Sequence, residues 1–352
     1  MRAFLLAAGR GLRFRPVTER IPKPLFPFLN IPLARAHLTR LRQSGITEAG
    51  VNLHHLGEQI EKNLVDGPAE LPQLRFFREP EILGTAGGLA NAADWLSEGD
   101  FLVVNSDAAI EPDYDTLVRA HRDSGRLATL LVVANRESER YTPLQSEGDR
   151  ITGFGAHAGP RPDARNSSRA SGVSLARSAR SGGTESAPPL LYTGVCVLSP
   201  RLLSRIGPGE RSLVDDLWNP LLAEGTEIGW VAHGGPFADL GRPRDFLRAS
   251  LEALARGGPF PEGAGAFDRE VRVLSSRPLQ NSAAFDSALG RCELGSGARV
   301  EKSAVWDGAV IGAGSRITGC VFAGGSIDPG SEFQDALLWG APGELARSFP
   351  LT

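Results

Sequence analysis

The feature that most constrains the fold is an alternation running from "RAFLLA" (2–7) to "RPRDFLRASLEALARGG" (242–258). Short apolar runs, "ITEAGVNL", "LRFFRE", "FLVVNSD", "LATLLVVA", "PLLYTGVCVLSP" and "EIGWVAH", are separated largely by stretches whose apolar residues fall at helical spacing. Such a pattern predicts an α/β fold, a Rossmann-like, mostly parallel sheet with helices on both faces. Ligands of these sheets bind beyond the carboxyl ends of the strands. The loops after Ala7, Glu79 and Asn105 are therefore where chemistry is expected.

Two stretches break the pattern. Residues 157–188 lie in a run of small residues, serine and arginine with little to bury, which reads as a flexible insertion. A Gly/Pro cluster at 257–265 marks a linker, taken as 257–283, that closes a first domain of residues 1–256. Beyond it "ALG", "AVW", "CVF" and "ALL" at 288, 304, 320 and 336 recur every sixteen residues. Between them "LGSGARV" (294–300), "IGAGSRI" (311–317) and "IDPGSEF" (327–333) repeat in phase. Short periods with turn residues predict stacked β-solenoid rungs over 284–342. One rung is too small to fold alone, so the stack must pack on a neighbour or pair with a second copy.

A net charge of −3 over 352 residues gives no overall basic field, so no nucleic-acid partner is expected. Cys196, Cys292 and Cys320 share no metal or redox spacing, which fits inert thiols in a reducing, cytoplasmic setting. The first apolar run is too short for a signal peptide, and no stretch approaches a membrane span.

The loop "LLAAGRGLRFRPVTERIPKPLFP" (5–27) carries the strongest local signal. A dinucleotide fingerprint is excluded, because Phe14 stands where the third glycine belongs after Gly9 and Gly11. A P-loop is excluded too, for want of a lysine at its offset. What remains is a strand feeding a glycine loop with Arg13, Arg15 and Lys23 around it, suited to polyphosphate. Only Lys23, Lys62 and Lys302 among 38 basic residues are lysine, and Lys23 sits between two prolines.

"LAAGRGLRFRPVT" with "IPKPLFP" resembles the start of sugar-1-phosphate nucleotidyltransferases, including the GDP-mannose pyrophosphorylases. "EPEILGTAGGL" (79–89), "VVNSD" (103–107), "YTGVCVLSP" (192–200) and "DLGRPRDF" (239–246) follow in the family's order. The repeat tail resembles the short left-handed parallel β-helix that many members carry. The resemblance implies transfer of a nucleotidyl group from a nucleoside triphosphate to a sugar 1-phosphate. It implies Mg²⁺ held by Asp107 and Asp239, with Arg13 and Lys23 on phosphates. Leu6, Ala7, Ala8, Gly9, Gly11, Gly84 and Thr85 would line the nucleotide, and Gly194 would approach the sugar. Gly87 and Gly88 are expected to open a helix facing an anion. "GTAGG" and the tail lean to GTP with mannose 1-phosphate or a related heptose phosphate. A uridylyltransferase for an N-acetylated amino-sugar phosphate and a non-catalytic nucleotide-sugar-binding homologue are the alternatives. A homo-oligomer through the β-helix is a further expectation.

The chain departs from the family in two places. Leu12 stands where Ser or Thr often precedes the signature arginine, and no lysine lies between Lys62 and Lys302 to meet the sugar phosphate. Arg161, in "GPRP", is a candidate substitute for that lysine. His54–His55 and Asp215–Asp216 read as structural, adjacent strand residues facing opposite ways and acids in a first helical turn. No histidine follows His233, which leaves the tail without the usual base of solenoid acyltransferases.

Overall fold

The computed structural model describes residues 1–67, 70–135, 140–155, 189–256, 272–274, 277–279 and 282–352. The expected insertion at 157–188, with Arg161, and most of the linker lie outside them.

A nine-stranded sheet forms the first part. Its strands are β1 (Arg2–Leu6), β2 (Glu48–Leu53), β3 (Gln73–Arg78), β4 (Phe101–Asn105), β6 (Ala128–Ala134), β7 (Leu144–Glu147), β8 (Arg150–Phe154), β9 (Leu190–Leu198) and β10 (Ile228–Ala232). A separate two-stranded ribbon pairs β5 (Ala108–Ile110) with β11 (Phe237–Asp239). The strand order is β3-β2-β1-β4-β9-β6-β10-β8-β7. The sheet is mixed rather than mostly parallel. β9 runs antiparallel between β4 and β6, and β7–β8 is a hairpin whose two-residue turn, Gly148–Asp149, permits only antiparallel pairing.

β1 shows why the centre of this sheet holds. Ala3 and Leu5 enter one core, with Leu38 of α1 (Leu33–Gln43) and Ile60 of α2 (Gly57–Asp66). Phe4 and Leu6 enter the other, with Leu89 of α3 (Gly84–Asn91) and Trp95 of α4 (Ala93–Leu96). A strand buried on both faces needs an apolar run rather than an alternating one, and "AFLL" is that run. Leu6 pairs with Asn105, so the loops leaving β1 and β4 start level with each other.

The tail is a coil of short parallel strands in three sheets. One holds Ser287–Leu289, Ala304–Val305, Val321–Phe322 and Ala336–Trp339. Ala304 pairs with Val321, not Cys320, so successive rungs advance by 16, 17 and 16 residues rather than sixteen throughout. The corner residues explain the slip. Asp286, Lys302, Gly319 and Asp335 hold positive φ at one corner, and the rung between Lys302 and Gly319 carries the extra residue. Cys320 instead continues a buried ladder, donating its N–H to Ser303 Oγ at 3.0 Å as Ser303 does to Ser287 at 3.1 Å.

Paired strands in this region begin at Arg272. Arg272–Leu274 and Arg277–Leu279 run antiparallel against the first strands of two sheets, and Arg347–Pro350 runs antiparallel against Ala336–Trp339. No helix among the described residues is long and apolar enough to cross a membrane.

Candidate active site

Three segments meet beyond the carboxyl ends of β1 and β4: the first loop, residues 106–108 and residues 239–241. Ser106, just past β4, donates from Oγ to the Leu6 carbonyl at 2.6 Å and so ties the two strand ends. Asp107 follows. The ribbon sets Asp239 opposite Ala108, and the Leu240 N–H donates to the Asp107 carbonyl at 3.2 Å. The two carboxylates expected to hold metal are thus brought side by side by backbone pairing.

Lys23 reaches the same point from the first loop. Its Nζ donates to Asp107 Oδ2 at 2.9 Å, and it is only 6% exposed. A buried ammonium needs a partner, and among the described residues Asp107 is the one it has. Burial raises the Asp107 pKa, but Lys23, with smaller contributions from Arg13 and His37, outweighs that and holds the carboxyl below its ordinary range. Asp239 behaves oppositely. Burial and then the Asp107 charge push its carboxyl up, only partly offset by Lys23 and Arg13. Arg13 lies over the backbone of Gly241, where a Cβ would sit 2.6 Å from Nη2. The Arg13 side chain is exposed, and among the described residues no ion pair involves it.

The sequence-predicted glycine loop is held open. Gly11 has φ +61, and a Cβ there would meet Thr18 Cγ2 at 2.8 Å, while Thr18 Oγ1 donates to the Gly11 carbonyl at 3.0 Å. A Cβ on Gly9 would meet nothing within 4 Å, so its face is clear for a ligand. Ala8, just before Gly9, is buried. Ala7 is not free, since its N–H donates to Asn52 Oδ1 at 2.6 Å.

Asn52 and Glu79 form a support that the sequence reading missed. Asn52 Nδ2 donates to Glu79 Oε1 at 2.7 Å, and the Leu83 N–H donates to Glu79 Oε2 at 2.9 Å. Both are buried, at 2% and 4% exposure, and together they join the first loop to the "ILGTAGG" loop. The signal was present: an amide inside the apolar run "GVNL" is out of place unless it has partners. His37 was missed as well. Its Nε2–H donates to the Ala108 carbonyl at 2.9 Å, and burial lowers its pKa to about 4, so the imidazole stays neutral.

Gly84 and Thr85 lie one loop away, against residues 209–213. Gly84 has φ +70 and a Cβ would stand 2.5 Å from the Arg211 carbonyl oxygen, while Thr85 Oγ1 accepts from the Leu213 N–H at 2.8 Å. The helix begins at Gly84; Gly87 and Gly88 sit inside it, packed on Gly209 and on Asn52 with Glu79, and do not open it. Gly194, at φ +83, lies in the bulge of β9 where any Cβ would meet Asn105 at 2.6–2.8 Å. His54 and His55 fall just past β2 rather than on it, each donating to a backbone carbonyl, of Glu79 and of Thr18. Asp215 and Asp216 occupy the first turn after Ser212, whose side chain accepts from the Asp215 N–H. Among the described residues no group of three or more His, Cys, Asp or Glu side chains is placed to hold a metal.

A family described as Nucleotidyl transferase matches residues 2–155. The chain is 28% identical over 341 residues to a probable mannose-1-phosphate guanylyltransferase 1 of Oryza sativa subsp. japonica, covering 89% of this chain and 86% of that one. It is 46% identical over 115 residues to the N-acetylmuramate alpha-1-phosphate uridylyltransferase of Neisseria meningitidis serogroup B, covering 32% of this chain and 50% of the relative. In fold it is similar to HddC from Yersinia pseudotuberculosis, with a TM-score of 0.55 at 20% identity, over 71% of this chain and 98% of the other.

Proposed function

The chain belongs to the sugar-1-phosphate nucleotidyltransferase family, and from that membership we propose that it joins a nucleotidyl group from a nucleoside triphosphate to a sugar 1-phosphate. An oxygen of the sugar phosphate bonds to the α-phosphorus as the bond to the bridging oxygen breaks, and pyrophosphate leaves with the electron pair. The observation that carries this reading is the joining of Lys23, Asp107, Asp239 and Arg13 at the ends of β1 and β4.

Both the attacking and the leaving group are phosphates, already ionised at neutral pH, so no general base is required. Positioning and charge neutralisation carry the reaction. Lys23 exchanges its bond to Asp107 for one to phosphate, and Arg13 grips the departing pyrophosphate oxygens in bidentate fashion. The backbone from Leu6 to Gly11 lines the nucleotide, Gly84 and Thr85 complete that wall, and Gly194 admits the sugar. Hard carboxylate oxygens side by side, one with its pKa raised by burial and then by its neighbour's charge, fit Mg²⁺. Asp107 and Asp239 would hold it, and when bound it supplies charge neutralisation at the phosphate oxygens.

GTP with mannose 1-phosphate or a related heptose phosphate is the preferred pair, supported by a match to the rice guanylyltransferase that covers 89% of this chain. UTP with an N-acetylated amino-sugar phosphate is the second reading, supported by the higher identity to the meningococcal uridylyltransferase. The coil is read as a left-handed β-helix and the setting as cytoplasmic. The test is pyrophosphate release across five nucleoside triphosphates and glucose-, mannose-, heptose- and amino-sugar 1-phosphates. Release confined to GTP with mannose or heptose phosphate is expected. Silence throughout points instead to a non-catalytic nucleotide-sugar-binding protein.

A further inference from the structure

The segment that carries Arg13 and Lys23 has little structure of its own. It is three 3-10 turns, Leu12–Phe14, Val17–Glu19 and Lys23–Leu25, each three residues long. Turns of that length form too few hydrogen bonds to hold a geometry unaided. What fixes them lies underneath. Phe14, next to Arg13, and Phe26, three residues past Lys23, are both fully buried, with ring centroids 4.7 Å apart. Phe246, from α5 (Pro243–Ala255), meets Phe14 at 6.0 Å and Phe26 at 6.3 Å. Leu240, beside Asp239, enters the same cluster.

The last wall comes from the coil. Trp306 lies 4.8 Å from Phe26 and 5.5 Å from Phe246 between ring centroids. Its indole N–H has no hydrogen-bond partner among the described residues, so the ring acts through its faces and edges alone. Asn30, at the end of the same segment, donates to the coil carbonyl of Leu289 at 2.6 Å. The phosphate-facing cations and the strand end that carries Asp239 therefore stand on one aromatic box, which the coil closes.

We propose that the coil is part of the catalytic device, with Trp306 a positioning residue that sets Lys23 and Arg13 through Phe26 and Phe246. The kinetic half of this proposal rests on the nucleotidyltransferase reading; the structural half does not. Charge grips displaced by a fraction of an ångström lose more in the transition state than in the ground state. Trp306→Ala is expected to lower kcat about tenfold to a hundredfold with a much smaller change in KM for the sugar phosphate. Trp306→Phe keeps the ring contacts and restores turnover. Val300→Ala weakens the coil interior away from the box and serves as the control.

A second readout needs no substrate. Lys23, Lys62 and Lys302 are the three lysines, with side chains 8%, 80% and 60% exposed. Amine acylation followed by mass spectrometry reports Lys23 directly, with Lys62 as the internal standard. Trp306→Ala is expected to speed labelling of Lys23 relative to Lys62, whereas Trp306→Phe and Val300→Ala leave it slow. Unchanged Lys23 labelling in Trp306→Ala overturns the proposal, as does equal loss of kcat in Val300→Ala. Faster Lys23 labelling in a protein without turnover on any substrate upholds the buttress and refutes the functional reading.

Discussion

Asp107 and Lys23 are each other's counter-charge, so neutralising one strands the other. Asp107→Asn leaves a buried ammonium facing an amide and removes one of the two carboxylates proposed to hold the metal. Pyrophosphate release is expected to slow by about two to four orders of magnitude, checked in a continuous pyrophosphate assay at saturating substrates. His37 makes a prediction of a different kind. Its folded pKa of about 4 lies below the ordinary 6.5, so as pH falls through 6.5 the unfolded chain takes up a proton that the folded one refuses. Stability supplied by the neutral imidazole is present above 6.5 and is lost across that window. Between pH 7 and pH 5 the loss from this residue is about 2 kcal/mol. In chemical denaturation at the two pH values, His37→Gln should show a correspondingly smaller drop than the parent chain.

At the scale of elements, Asn52 joins what the sheet alone does not. It sits at the end of β2, holds the first turn after β1 through Ala7, and holds Glu79 at the end of β3. Asn52→Leu keeps the volume but leaves the Ala7 N–H and a buried carboxylate oxygen unpaired. A cost of about 3 kcal/mol in urea unfolding is expected, with a raised KM for the nucleotide. The same region shows what a sequence can and cannot disclose. "AFLL" and "FLVV" announce β1 and β4 because double burial demands unbroken apolar runs. Asp107 and Asp239 were legible as strand-end acids within motifs. The three 3-10 turns were not, since three residues carry no periodicity, and neither was the ribbon that sets Asp239 beside Asp107. Its strands are three residues each, and nothing within "AAI" or "FAD" names its partner. Repeat spacing fell between these cases. The rungs were visible, but the added residue before Gly319 was absorbed by a corner whose side chains vary while its φ does not.

At the scale of the whole molecule, four cores form among the described residues: one on each face of the sheet, a third in which the first loop, α5 and the coil are packed together, and a fourth inside the coil. The coil is thus held along its side and leaves its two ends to be dealt with separately. Parallel rungs stacked in register present a row of unpaired N–H and C=O groups at each end, the arrangement by which such strands recruit further copies. Here the chain turns back on itself. Arg272–Leu274 and Arg277–Leu279 reverse over one end, and Arg347–Pro350 over the other. Removal of residues 346–352 is therefore expected to raise the mean particle size in light scattering without altering the sheet domain. A coil built from a repeating rung is a fragment of a fibre, and nothing in its interior says where to stop. Reversed strands close both ends of the sheet that holds Ala304–Val305, and one end of a second sheet, against continuation of their parallel rungs. A second copy cannot lengthen the doubly closed sheet by adding a parallel rung, because a strand of opposite direction already occupies each edge.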